Sequence, residues 1–396
     1  MNNLKEVVFV GAARSPVGAF GGSLKDFSPS ELATVTVKEA IARAKVDPAR
    51  IGQIVLGNVI HTEQRDMYLS RVVGINSGLD KSSCAMNVNR LCGSGLQAIV
   101  SAANAIQLGE CEISVGGGVE CMSRGLYGLP GARWGMRMGD AGVMDMMLGA
   151  LTDPFGTGHM GVTAENVARE FGISREEQDA FALTSQKHAM AAIEAGYFRT
   201  QIVPVEIKSR KGVVRFDTDE YPRNDVSMAS LSALRPAFQR DGGSVTAGNA
   251  SGINDGAAAC VLMDARAADR AGIPALGRLV SYAVAGVEPA LMGTGPIPAV
   301  KLALQRAGLT LDDMDVIESN EAFAAQSLAV CKGLGLDPER TNANGGAIAL
   351  GHPLGATGAI LTVKCLYELA RTNKRYGLIT MCIGGGQGIA AVIARS

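Results

Sequence analysis

Residues 92–118 read CGSGLQAIVSAANAIQLGECEISVGGG, and residues 355–386 read GATGAILTVKCLYELARTNKRYGLITMCIGGG. Each stretch is a glycine turn, an apolar run at helical spacing, a short β-rich run and three successive glycines that read as a turn. In the first, Leu96, Ile99, Val100, Ala103 and Ile106 mark one helical face and the run closes at Gly109, so the spacing predicts a helix beginning near Cys92. In the second, Ala359, Ile360, Val363, Leu366 and Leu369 do the same. A further matching pair lies upstream of each: VKEAIARAKVDPARIGQIVLGN, ending at Asn58, and VKLALQRAGLTLDDMDVIESN, ending at Asn320, an offset of about 262 residues. The chain therefore reads as two copies of one α/β unit. Strands are predicted at Glu6 to Val10, Gln53 to Leu56, Ile113 to Val115, Val316 to Glu318 and Leu378 to Met381, and the two apolar helices are expected to share an interior between sheets.

Between the copies, residues 121–247 change character. A methionine-rich, loop-rich stretch, GARWGMRMGDAGVMDMMLGALTDPFGTGHMG, leads into a predicted helix from Ser174 to Gly196, where SREEQ reads as a capping box with Ser174 as N-cap and Glu177 three residues on. So long an insertion, leaving from one copy's triple-glycine turn, suits a lobe that covers a substrate; its methionines, taken alone, read better as core. The expected organisation is an N-terminal α/β half (1–120 plus 248–272), an inserted loop domain (121–247) and a C-terminal α/β half (273–396).

Composition narrows the function. With 47% hydrophobic residues among 396 the chain can bury a large core, and its 50 glycines are concentrated in short motifs. A net charge of −1 without runs of one sign supplies no basic stripe for nucleic acid. No stretch is apolar for long enough to span a bilayer, and the five-residue apolar run near the N-terminus is too short for a signal sequence; a cytoplasmic protein is expected. Eight scattered cysteines, without C-x-x-C pairs or histidines at ligand spacing, indicate neither a disulfide framework nor a metal.

Three glycine-rich turns then hold chemistry-bearing residues. Cys92 at a helix N-terminus has the macrodipole and free N–H groups to favour a thiolate; the other cysteines, Cys84, Cys111, Cys260, Cys331 and Cys365, read as small hydrophobes. His352 in GHPLG has a backbone set by Pro353 and glycines, so its ring can be aimed at a thiol as a base. Cys382, before Gly384, Gly385 and Gly386, can exchange a proton while a glycine N–H binds an oxyanion. Asn320 in SNEAFAAQ reads either as a helix N-cap or as an amide holding a water or substrate oxygen. Together these suit acyl-thioester chemistry.

VNRLCGSGLQA, TAENVA, AGNASGINDGAAA, NEAFAAQ, NGGAIALGHPLGATGA and CIGGGQG, spread over the whole chain, resemble the thiolases, most closely the acetyl-CoA acetyltransferase or short-chain β-ketothiolase group. The resemblance implies duplicated α/β halves in a layered α-β-α-β-α core with an inserted loop domain. It implies Cys92 as the nucleophile that carries the acyl group, His352 as the base that takes its proton, and Cys382 as the acid/base that activates the second acetyl-CoA. It also implies two oxyanion sites, one from His352 and a water held by Asn320, the other from the N–H groups of Cys92 and Gly384. Coenzyme A would be substrate and product with no further cofactor: Arg223 and Ser230 would face its nucleotide end, and Ser251, His159, Met160, Phe323, Met292 and Leu151 would line the tunnel for its arm and the acyl group. A homodimer or homotetramer is implied.

Several positions depart from the family's pattern. Gly158 stands before His159 where relatives often carry tyrosine, which implies a wider acyl pocket; Leu354, Ser319 and Cys121 replace the more usual isoleucine, alanine and serine. Other readings are a degradative 3-ketoacyl-CoA thiolase of longer chains, a non-catalytic acyl-CoA or lipid-binding relative, a ketoacyl synthase or hydroxymethylglutaryl-CoA synthase, against which CIGGGQG argues, and a cysteine hydrolase.

Overall fold

The structure, a computed structural model, describes residues 4–210, 212–338 and 340–396. Nine strands form its main sheet: β1 (Val7–Arg14), β2 (Gln53–Gly57), β3 (Cys84–Val88), β4 (Ile113–Cys121), β5 (Asn254–Asp264), β6 (Gly277–Gly286), β7 (Val316–Ser319), β8 (Tyr376–Ile383) and β9 (Gln387–Ala394). A two-residue strand, Gly18–Ala19, pairs beside β5. The order is β7-β8-β9-β6-β1-β5-β4-β2-β3, and about the β6/β1 seam it is nearly its own mirror image. In each half the two outward members named in the repeat, β2 with β4 and β7 with β8, pair in parallel, and the inner strands pair antiparallel. The halves meet through two residue pairs, Val8↔Arg278 and Phe9↔Gly277.

Alternation along the strands divides the side chains between faces. On β1, Val7 and Phe9 point to one core, whereas Val8 and Val10 point to another. The first core is central and holds one helix from each copy: α2 (Ser94–Gln107) and α7 (Leu354–Thr372) lie side by side between the two halves of the sheet. Helix α1 (Pro29–Ala44) covers the outer face of the first half through Leu32, Val37 and Ile41, and α5 (Pro296–Ala307) covers the second through Val300, Ala303 and Leu304. The result is five layers, α-β-α-β-α.

The central pair of helices dictates two uses of glycine. A Cβ on Gly358 would lie 2.4 Å from the Leu96 nitrogen, and one on Gly95 would lie 2.8 Å from the Gly355 oxygen, so the backbones of α2 and α7 cross in contact. The first triple glycine, read from the sequence as a turn, is instead mid-strand: Gly116, Gly117 and Gly118 all lie within β4 and are buried. The reason is steric, since Cβ atoms there would meet Ile99 Cα at 2.6 Å, Ala258 O at 2.4 Å and Gly355 O at 2.0 Å. The second triple glycine is a true turn between β8 and β9, with φ of +83° at Gly385 and +87° at Gly386.

After β4 the chain leaves for the inserted segment and returns at β5. Its long helix α4 (Arg175–Glu194) begins at the Ser174 capping box read from the sequence and packs against Ile348 and Leu350 through Ala182 and Ala189. Before it, α3 (Met160–Glu170) is capped by His159, whose Nδ1 accepts from the Gly161 N–H at 3.0 Å. Arg14 on β1 reaches across to the insertion, donating to both carboxylate oxygens of Asp219 at 2.8 and 2.9 Å in a fully buried pair. The methionines of the loop divide: Met136, Met138, Met144 and Met146 are exposed, as are Trp134 and Phe155, whereas Met160 is buried in core and Met147 packs half-buried against Ile60, Met122 and Leu354. Among the small hydrophobic cysteines expected inside, Cys84 is exposed on β3, and Cys260 and Cys365 are buried.

Candidate active site

A cavity of about 320 Å³ opens where the two halves and the insertion meet, and Cys92, His352, Cys382 and Gly384 all line it. Each arrives from an element end. Cys92 sits just before α2, between Leu91, held at φ +45°, and the N-cap Gly93. A leucine in that left-handed region is uncommon and costs on the order of 1–3 kcal/mol, held by its surroundings. The peptide N–H groups of Gly384 and of Cys92 itself lie against the thiol and favour its anion. Burial outweighs them, and the Cys92 pKa is pushed up to about 11. Desolvation is the larger effect, so the thiol needs a base to take its proton, the role the resemblance gives His352.

His352 precedes α7 and is buried, which pushes its pKa down to about 4. Its ring tautomer follows from its neighbours. Thr357 Oγ1 donates its one proton to the Pro353 carbonyl at 2.9 Å, so it accepts from His352 Nδ1–H at 2.7 Å. Nε2 is then the bare nitrogen, 3.4 Å from the Asn320 amide Nδ2. The backbone is held as well, the His352 N–H donating to Asn254 Oδ1 at 3.0 Å. A thiol and a neutral imidazole therefore line one cavity at rest.

Cys382, at the end of β8, is fully buried in an apolar cluster with Met160, Met292, Ala322 and Phe323. Burial and the neighbouring Cys92 sulfur drive its pKa well above the ordinary thiol range, so its thiolate, once formed, is a strong base. Asn320 is no helix cap: the next helix, α6, begins at Ala324 with Phe323 at its N-cap. Its backbone N–H donates to Thr380 O at 2.9 Å, and its Oδ1 is buried without a hydrogen-bond partner among the described residues.

The wall residues expected from the sequence divide into two groups. Ser251, His159, Met160, Phe323, Met292 and Leu151 all line the cavity. His159 stacks on Phe238 with ring centroids 4.6 Å apart, so with its Nδ1 committed to the cap of α3 it is a wall more than a proton carrier. Arg223 and Ser230 are exposed and line a second cleft of about 150 Å³, which shares Ala247 with the main cavity. Gly158 is not among the residues lining the cavity, and its φ of +101° is one that tyrosine would rarely adopt. On the Cys92 side, Met122, Leu354, Ile253 and Ala150 add an apolar end that single motifs did not reveal. No local pattern marks Thr357 and Glu120, which hold His352 and the start of α7: Glu120 meets Gly355, 235 residues later, and the Thr357 contacts exist only once the helix is built.

Among the described residues no group of three or more histidines, cysteines, aspartates or glutamates is arranged to hold a metal, and no helix is long and apolar enough to cross a membrane. Two cysteines, a bare imidazole nitrogen and peptide N–H groups around one apolar cavity define an enzyme of thioester acyl transfer.

Comparison with known proteins agrees. The family profile "Thiolase, N-terminal domain" matches residues 7–266, and "Thiolase, C-terminal domain" matches residues 273–395. The β-ketothiolase BktB of Cupriavidus necator is 60% identical over 391 residues, 99% of each chain. Among solved structures, the acetyl-CoA acetyltransferase of Bacillus anthracis superposes with a TM-score of 0.97 at 45% identity, covering 100% of both chains. The human mitochondrial 3-ketoacyl-CoA thiolase in complex with CoA gives 0.96 at 43% identity, covering 100% of this chain and 99% of that one. The chain belongs to the thiolase family, and it is an acyltransferase.

Proposed function

We propose that the enzyme joins two short acyl-CoA molecules, one of them acetyl-CoA, to a 3-ketoacyl-CoA and runs the reverse thiolysis, carrying the acyl group on Cys92. The observation that carries this reading is the convergence of Cys92, His352, Cys382 and Gly384 on one cavity. In the first half-reaction His352 Nε2 takes the Cys92 proton as the sulfur attacks the thioester carbonyl. The carbonyl oxygen turns anionic against the N–H groups of Cys92 and Gly384, and Cys382 gives its proton to the departing CoA sulfur. The site then holds an acyl-cysteine, an imidazolium and a buried thiolate.

That thiolate removes an α-proton from the second acetyl-CoA. The enolate oxygen is stabilised by the His352 imidazolium and a water on the Asn320 amide, whose unpartnered Oδ1 supports that placement. The enolate carbon attacks the acyl-cysteine, the Cys92 sulfur leaves, and it recovers its proton from His352. Thiolysis retraces these steps. The CoA arm would run past Ser251, His159, Phe323 and Met292, with Arg223 and Ser230 in the adjoining cleft toward its nucleotide end; the Ala247 shared by the two cavities supports a continuous path. A homodimer or homotetramer is part of the same reading, supported by the exposed apolar residues Trp134 and Met138.

The test is CoA-dependent cleavage of acetoacetyl-CoA and of longer 3-ketoacyl-CoAs. Cleavage confined to four or five carbons supports the short-chain reading. A second reading, a degradative thiolase of longer chains, is favoured by the apolar end formed by Met122, Leu151 and Leu354, and cleavage of long substrates would establish it. Silence from reduced, folded protein would refute both.

A further inference from the structure

One buried carboxylate at the junction of the halves takes no part in the chemistry above. Glu120, next to last in β4, is fully buried and does not line the cavity. Its carboxylate accepts four hydrogen bonds. Oε1 receives Asn58 Nδ2 at 3.1 Å and the Ile60 N–H at 3.0 Å; Oε2 receives the Val59 N–H at 3.1 Å and the Gly355 N–H at 2.7 Å. Three donors belong to the loop after β2 in the N-terminal half. The fourth and shortest belongs to the first turn of α7 in the C-terminal half.

The sequence of α7 explains why that bond matters. Its N-cap residue is Pro353, which has no side-chain oxygen, and the helix has no local side-chain cap. A helix start without a cap leaves N–H groups unsatisfied and a positive dipole end bare. Glu120 supplies the missing acceptor from another part of the fold. The same turn carries Thr357, whose hydroxyl accepts from His352 Nδ1–H and fixes which nitrogen of the ring is bare. The packing leaves no slack: a Cβ on Gly355 would lie 2.8 Å from Glu120 Oε2 and 2.9 Å from both the Val119 oxygen and Asn58 Cα.

A carboxylate here has a cost. It lies close enough to Cys92 to oppose ionisation of the thiol, and its own burial pushes its pKa up to about 8. A residue that hinders the nucleophile and is expensive to bury is explained by what it holds. We propose that Glu120 is a positioning residue of the thiolase reaction: it caps α7 across the junction of the halves and thereby fixes the His352 ring in the cavity it shares with Cys92.

This inference rests on the thiolase reading above, and the test separates the two. Wild type, Glu120→Gln and Thr357→Val are compared in acetoacetyl-CoA thiolysis, with thermal melting and the rate of Cys92 alkylation by iodoacetamide in free enzyme. Glutamine keeps the size but turns an N–H₂ toward N–H donors, and valine keeps the shape of threonine without its hydroxyl. For each variant kcat should fall on the order of 10–100-fold, the cost of a displaced catalytic group, while KM for CoA stays within about threefold. The double variant should lose little more than either single one, because both act through the ring of His352. A Glu120→Gln protein with a lower melting temperature and unchanged kcat would overturn the proposal. If Glu120→Gln does not fold, Thr357→Val still decides, since unchanged kcat there breaks the hydrogen-bonded route from the capped helix to the ring. An inactive wild type would instead indict the thiolase reading.

Discussion

The two halves of the molecule are built alike and end differently. After β2 comes Asn58 and after β7 comes Asn320, equivalent positions of the repeat, and each has a buried Oδ1 without a partner among the described residues. Asn58 turns its amide N–H₂ to the Val119 carbonyl and Glu120, at 3.1 Å each, whereas Asn320 turns its own toward His352 Nε2 at 3.4 Å. The helix starts differ too: α2 carries a thiol just before its first turn, and α7 carries an imidazole. Duplication thus set two helix N-termini side by side in one interior, and in the proposed reaction one half holds the acyl group while the other moves protons. The two triple glycines show the same divergence, one a packing surface within β4, the other a turn whose first member faces the cavity.

The largest expected effects separate the two sulfurs. Cys92→Ser and Cys382→Ser should each lower turnover by at least about 10³-fold, but only the second should still form an acetyl-enzyme from acetyl-CoA. Mass spectrometry of the acetylated peptide reads this; equal acetylation in both would erase the assigned division of labour. The paired asparagines come next. Asn320→Ala, which removes an oxyanion-site group, should lower kcat on the order of 10²-fold. Asn58→Ala should leave kcat within about threefold and cost about 1–3 kcal/mol of stability by unsatisfying buried groups, as measured by denaturant titration. Similar kinetic losses in both would mean that the halves never diverged in role.

The acidity of the two reacting groups gives a third comparison. With Cys92 pushed up to about 11 and His352 pushed down to about 4, alkylation of Cys92 in free enzyme should keep rising with pH beyond 9, without a plateau near neutrality. The stability consequence has a definite sign. A histidine whose pKa is lowered on folding binds more protons unfolded, so its contribution is present above the unfolded value near 6.5 and is lost as pH falls toward 4. Melting temperatures should therefore drop over that interval less steeply in His352→Gln than in wild type. The smallest effect lies outside both halves: Ser174→Ala, removing the capping box of α4, should cost about 1 kcal/mol and leave turnover unchanged.

Periodicity and repetition made much of this legible in the sequence. The capping box at Ser174, the helical faces of α2 and α7, and the gathering of Cys92, His352 and Cys382 all depend on residues close in sequence or on repeated motifs. What was not legible depends on contacts between distant segments. Gly116 to Gly118 look like a turn until α2 and α7 are seen lying against them. Glu120 looks like any strand-end glutamate until Gly355, 235 residues later, meets it. The high pKa of Cys92 likewise comes from burial by the insertion and both halves, which no local pattern carries. The exposed methionines of the inserted loop show the converse, since an apolar composition says nothing about which surface will cover it.

In the proposed reaction one half carries the acyl group on Cys92 while the other handles protons. The most direct measurement is to incubate the enzyme with acetyl-CoA alone, quench in acid, and locate the acetyl group by peptide mass spectrometry. The account predicts a single adduct on the peptide containing Cys92, discharged when CoA is added. An adduct on Cys382 instead, or none in protein that cleaves acetoacetyl-CoA, would contradict it.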